Sequence, residues 1–175
     1  MEIKTHLFAS IDGYLSTPEG WPVQLAMPTF DPRGSHGLPE FLAGCRGAVM
    51  GRNSFLPALG APQWPWPGLR VFVLTSTPLP EGTPEDVVTA SDPERLLELM
   101  REAGLDGDVH LVGGQRTLDA FVGIGAVAEL GIVTVPRFMG GGVRLSIDGS
   151  AVRSWELRST HPFPDGCVKH VYTPA

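Results

Sequence analysis

Three short segments of this 175-residue chain carry residue types suited to holding an anion. Met50-Gly51-Arg52-Asn53-Ser54 follows a short apolar run. Its Arg52 offers a planar guanidinium fork and its Ser54 a hydroxyl, a pair that suits a phosphate group. Thr75-Ser76-Thr77 follows a second apolar run and presents three hydroxyls. Gly113-Gly114 follows His110-Leu111-Val112 and precedes a helical pattern. Backbone N–H groups at such a helix start can hold a pyrophosphate, and the missing side chains let it approach. Taken singly, each segment also reads as ordinary turn chemistry: a surface arginine in a capping turn, hydroxyls that close a turn, a tight Gly-Gly corner. Taken together they say more. All three lie just beyond the carboxyl ends of predicted strands, the edge where open α/β sheets bind ligands. A long anionic ligand crossing several strands would touch all three.

Other residues with chemical potential read more plainly. Asp12-Gly13 closes the first predicted strand and suits a tight turn. The five histidines show no metal-ligand spacing, and Cys167 and His170, three apart on a strand, face opposite sides. No metal site is expected, and Cys45 and Cys167 read as buried apolar residues. Gly123-x-Gly125-x-x-Ala128 matches the text of a dinucleotide fingerprint, but a helix precedes it and a strand follows, the reverse of what that motif needs. It reads as a helix stop and a turn. A Gly-x-Ser-x-Gly nucleophile elbow is absent.

The elements that must position these residues follow from punctuation and periodicity. Ile3 to Ile11, Gly47 to Met50, Val71 to Leu74, Val109 to Val112 and Ala128 to Val135 read as strands, with a short one at Val87-Val88. Asp92 to Ala103 reads as a helix: Ser91 or Asp92 can cap it, Pro93 suits its first turn and Gly104 can end it. Gln115 to about Val122 is a second helix, turning Leu118, Phe121 and Val122 inward. Ser154 to His161 and Val168 to Thr173 have the spacing of an antiparallel hairpin. Strands alternating with helices, then a hairpin, describe a mixed sheet covered by helices in one domain spanning residues 1–175.

Composition narrows the class of function. The 22 glycines and 17 prolines exceed ordinary usage, but they fall in blocks between apolar runs, which is punctuation, not disorder. A net charge of −6 argues against nucleic-acid binding through bulk positive charge. No apolar run reaches membrane-spanning length, and Met1 to Ser10 lacks the pattern of a secretion signal, so a cytoplasmic protein is expected. The Trp64-Pro65-Trp66-Pro67 segment reads as an aromatic loop packed on the body.

The order of these motifs resembles the dihydrofolate-reductase-like superfamily, and within it the reductase domain of the riboflavin-biosynthesis deaminase–reductase. The resemblance rests on Ala9-Ser10-Ile11-Asp12-Gly13-Tyr14-Leu15, Val49 to Phe55, Val73-Leu74-Thr75-Ser76, Leu111-Val112-Gly113-Gly114 and Val135 to Gly142. It implies a three-layer α/β/α fold with a mostly parallel mixed sheet and an antiparallel C-terminal hairpin. It implies an NADPH-dependent reductase that passes a hydride to a small polar substrate, of pyrimidine ribosylamine or pterin type, and a homodimer. By the same resemblance Arg52, Ser54 and Ser76 would grip the adenosine 2′-phosphate, Gly113, Gly114 and Gln115 would hold the diphosphate, Thr75 would also bind the cofactor, and Ala9, with Asp12 through Leu15, would line the nicotinamide and substrate. A proton would come from Asp12, from Glu40 or from a water they position. The alternative reading is a nucleotide-binding or dimerisation module without catalysis on the same fold.

Overall fold

The computed structural model describes residues 1–31, 36–145 and 152–175. In chain order the elements are β1 (Ile3–Ser10), α1 (Leu38–Ala43), β2 (Cys45–Gly51), α2 (Arg52–Leu59), β3 (Arg70–Leu74) and β4 (Val88–Ala90). They continue with α3 (Pro93–Glu102), β5 (Asp108–Gly113), α4 (Gln115–Gly123), β6 (Val127–Val135), β7 (Trp155–Pro162) and β8 (Val168–Pro174). Two units share this chain: Met1–Lys4 with Gly44–Val127, and Thr5–Ala43 with Ala128–Ala175, so β1 begins in the first and continues in the second. Within the first unit the hydrogen-bonded strand order is β4-β3-β2-β5, and within the second it is β1-β6-β8-β7.

In the first unit β2 pairs in parallel with β3 and β5, and β3 with β4. Ala48, Val49 and Met50 are all fully buried. Successive strand residues point to opposite faces, so both faces of the sheet are covered there, as parallel sheets require. On one face Ala48, Met50, Val71 and Val73 pack with Phe55 of α2. Trp64 and Trp66 close this cluster from the edge, their rings 5.4 Å apart and edge-on, with Trp64 6.1 Å from Phe55. The aromatic loop expected from the sequence is thus a cover for the core.

Helix α3 forms as its local signals dictate. The Asp92 carboxylate accepts the Arg95 N–H at 2.9 Å, Pro93 occupies the first turn, and Leu96 and Met100 are fully buried. Such a cap is worth about 1 kcal/mol. By contrast α1, α2 and the single 3-10 turn at Val23–Ala26 went unread in the sequence. α1 has six residues, and α2 has eight with Pro57 inside it. Segments this short have little helical stability of their own, and tertiary packing supplies it, here through buried Phe55 and Ala58.

The second unit carries most of β1 with β6, β8 and β7. β8 pairs antiparallel with both β6 and β7, which is the C-terminal hairpin expected from the spacing. Phe8, Val133, Val135 and Cys167 form its core with Val23 and Met27. The outermost strand, β7, is exposed along most of its length. Among the described residues no helix is long and apolar enough to cross a membrane.

Candidate functional site

Register decides whether the three anion-friendly turns can act together. Gly51 stands opposite Leu74, and Met50 opposite Gly113, so β3, β2 and β5 end at one level. The residues that follow each end, Thr75, Arg52 and Gly114, therefore lie side by side along one edge. The turns also meet. A Cβ on Gly114 would stand 3.1 Å from Ser54 Oγ, and one on Gly51 only 2.6 Å from Thr117 Oγ1. Gly113 and Gly114 take φ of +127° and +86°, backbone that side chains resist. The two loops pack this closely because both glycines lack a side chain.

Three features prepare this edge for an anion. Arg52 Nε is buried and has no hydrogen-bond partner among the described residues. A buried unpaired donor is costly, and an acceptor brought by a ligand removes that cost. Second, α2 and α4 begin on Gly51 and Gly114 with no side-chain cap and no acidic residue in the first turn. A helix start of this kind favours an anion. Helix α3, which begins just beyond β4 where Ala90 stands level with Leu74, is by contrast closed by Asp92 and carries Glu94. Third, Ser54 is half-buried at Gly114, while Ser76 is exposed.

Two further hydroxyls lie at this edge. The Thr75 hydroxyl donates to the Thr77 carbonyl at 2.8 Å and accepts the Thr77 N–H at 3.1 Å, which shapes the turn. Thr117, which the sequence reading passed over, is buried with its hydroxyl against Gly51 and near Gly114. Its signal was available: a hydroxyl in the first turn of a helix that follows Gly-Gly. Gln115 lies half-buried at the start of α4.

In the second unit, Asp12 is a hub. Its carboxylate accepts the Ser10 hydroxyl at 2.6 Å, the Met139 N–H at 3.1 Å and the Gly140 N–H at 2.8 Å. The Ser10 hydrogen bond, with help from the Gly140 and Met139 amides, holds its pKa down at about 2. Through these bonds it joins the 10–13 turn to the Gly140–Gly142 loop. Gly13 completes the joint, its carbonyl accepting the Leu145 N–H at 2.8 Å. Ala9 is buried directly before that turn. Glu40 sits exposed on α1 near the Lys169 ammonium; burial lowers the Lys169 pKa against the pull of Glu129 and Glu40.

No family model and no curated protein matches the chain. Solved structures do. A protein from Shewanella sp. PV-4 described as belonging to riboflavin biosynthesis is 22% identical, with a TM-score of 0.85 over 100% of this chain and 99% of that one. This chain has the dihydrofolate-reductase-like fold. The same fold links it to a diaminohydroxyphosphoribosylaminopyrimidine deaminase/5-amino-6-(5-phosphoribosylamino)uracil reductase from Thermotoga maritima, at 14% identity and a TM-score of 0.72. That match covers 99% of this chain and 56% of the longer protein. A pyrimidine reductase-like protein from Corynebacterium diphtheriae is 13% identical, with a TM-score of 0.67 over 99% of this chain and 92% of that one.

Proposed function

We propose that this chain is a reductase that binds NADPH along the β3-β2-β5 edge and reduces a C=N or C=O group of a small polar substrate. The observation that carries the reading is Arg52: a buried guanidinium Nε without a partner, one residue past the end of β2 and level with Ser76 and Gly114. An arginine fork suits a phosphate dianion, and NADH lacks the adenosine 2′-phosphate that would fill it. The residues present fit the cofactor. Arg52, Ser54 and Ser76 would grip the 2′-phosphate. Gly113, Gly114 and Gln115 would hold the diphosphate at the uncapped start of α4, and Ala9 would line the nicotinamide.

When bound, the nicotinamide supplies a hydride to the substrate carbon. The chain's own residues bind, orient and shield. The substrate heteroatom takes up one proton. Asp12 holds the Gly140–Gly142 loop in place. The proton would come from Asp12, from Glu40 or from a water they position. The similar solved structures, described as riboflavin-biosynthesis and pyrimidine-reductase-like proteins, support a pyrimidine-type substrate. We also propose a homodimer, which light scattering on the eluted protein would test.

The commitment of Asp12 to structure favours one second reading, a nucleotide-binding module without catalysis. Incubation with NADPH and a panel of pyrimidine and pterin substrates separates the two. Loss of NADPH absorbance with any of them supports the reductase. Tight NADPH binding without oxidation across the panel supports the module, and absent NADPH binding overturns both.

A further inference from the structure

The hairpin between β7 and β8 carries a cluster that the nucleotide edge does not use. We propose that His36, Asp165 and Cys167 form a binding site for a zinc-class divalent cation. One ligand atom from each lies within 4.8 Å of the other two. His36 Nε2 is 2.8 Å from Asp165 Oδ2, and the Cys167 N–H donates to Asp165 Oδ1 at 3.1 Å. Cys167 Sγ stands 3.4 Å from the Met27 thioether.

The site is built into the core. The His36 side chain is 4% exposed and that of Asp165 17%, while Cys167 is fully buried. Phe8 and Phe163 meet the imidazole edge-on at 5.5 and 4.7 Å, and Phe30 stacks on it at 6.4 Å. Within this apolar wall His36 uses one ring nitrogen on Asp165. The other, Nδ1, is buried with no partner among the described residues. The imidazole thus has unspent ligand capacity where water is excluded.

Charge and softness choose the ion. Calcium and magnesium require oxygen ligands, whereas a thiolate with imidazole and carboxylate suits zinc. Zn²⁺ with one thiolate and one carboxylate is neutral, the state a buried site favours; a monovalent copper ion would leave a net negative charge. Zinc bonds of about 2.0–2.3 Å place tetrahedral donors roughly 3.2–3.8 Å apart, so the cluster needs to close by about 1 Å. The Thr29 hydroxyl, which donates to Asp165 Oδ2 at 3.4 Å, lies beside the cluster. On binding, the Cys167 S–H bond breaks, a sulfur–metal bond forms and the proton leaves to solvent. The ion would tie the Phe163–Cys167 turn to the segment carrying Met27 and His36.

The test uses the full, tag-free chain, reduced and stripped with chelator, titrated with Zn²⁺ and separately with Co²⁺. The proposal expects saturation at about one equivalent and a thiolate-to-cobalt charge-transfer band. Asp165→Asn and Cys167→Ser should each weaken Zn²⁺ by more than about 100-fold, beyond the roughly 10- to 100-fold cost of losing an outer-sphere partner. Cys45→Ser should leave binding unchanged. Because the cobalt spectrum is read on the unsubstituted protein, a variant that misfolds does not shield the idea. Absence of the thiolate band, or a band that survives Cys167→Ser, overturns it.

Discussion

Replacing Arg52 tests the nucleotide edge most directly. The guanidinium Nε is buried and unpartnered, and the helix start beside it has no acidic neighbour. A phosphate that fills this position gains a charge-assisted hydrogen bond worth about 1.5–3 kcal/mol. At about 1.4 kcal/mol per tenfold, Arg52→Ala should weaken NADPH roughly 10- to 150-fold. NADH, lacking the phosphate, should change by less than about threefold on the same scale. Arg52→Lys keeps the charge and loses the fork, so its affinity for NADPH should fall between the two. The structure adds a second expectation. Removing a buried unpaired donor removes a penalty of about 1–3 kcal/mol, so Arg52→Ala without cofactor should be no less stable than the parent. Calorimetric titration with both nucleotides and denaturant unfolding measure these quantities. Equal losses for NADPH and NADH would refute the phosphate role. Clear destabilisation of the cofactor-free variant would refute the orphaned donor.

Three other substitutions test the surrounding framework. Gly114→Ala places a Cβ 3.1 Å from Ser54 Oγ on a backbone with φ +86°; urea unfolding should show a loss of about 1–2 kcal/mol, with weaker NADPH binding. Asp12→Asn removes an acceptor whose folded pKa, about 2, lies below the ordinary 3.8. The stability contributed by Asp12 is complete above the ordinary value and is lost as pH falls toward 2; acid unfolding curves should show this limb in the parent and not in Asp12→Asn. Burial pushes His110 down to about 4 from 6.5, so the unfolded chain takes up a proton first and stability should fall between those two values. At 1.36 kcal/mol per unit this is on the order of 3 kcal/mol, and His110→Gln should flatten that part of the pH profile.

The sequence disclosed what local chemistry controls. Asp92, Pro93 and Gly104 act within a few residues of α3, so that helix could be bounded before any packing was known. The hairpin followed from two β-rich runs and a short polar link. α2 was hidden because its stability comes from Phe55 in the core, not from its own composition. The reversed context of Gly123 and Gly125 was also readable: α4 ends at Gly123 and β6 starts at Val127, as a stop and turn.

For the candidate site, the sequence by itself determined which residue types follow each strand: Arg52 with Ser54, the Thr75–Thr77 hydroxyls, and Gly113-Gly114. It did not decide that they meet. That came from strand register, which sets Gly51 against Leu74 and Met50 against Gly113 and brings Ser54 onto Gly114. The same holds for Asp12, whose amide partners lie 127 and 128 residues away, and for His36 with Asp165, 129 apart. Turn and cap preferences act over a few bonds and are written locally. A carboxylate's proton affinity and an arginine's missing partner depend on which distant groups the packed chain brings within hydrogen-bond reach, and only the tertiary structure decides that.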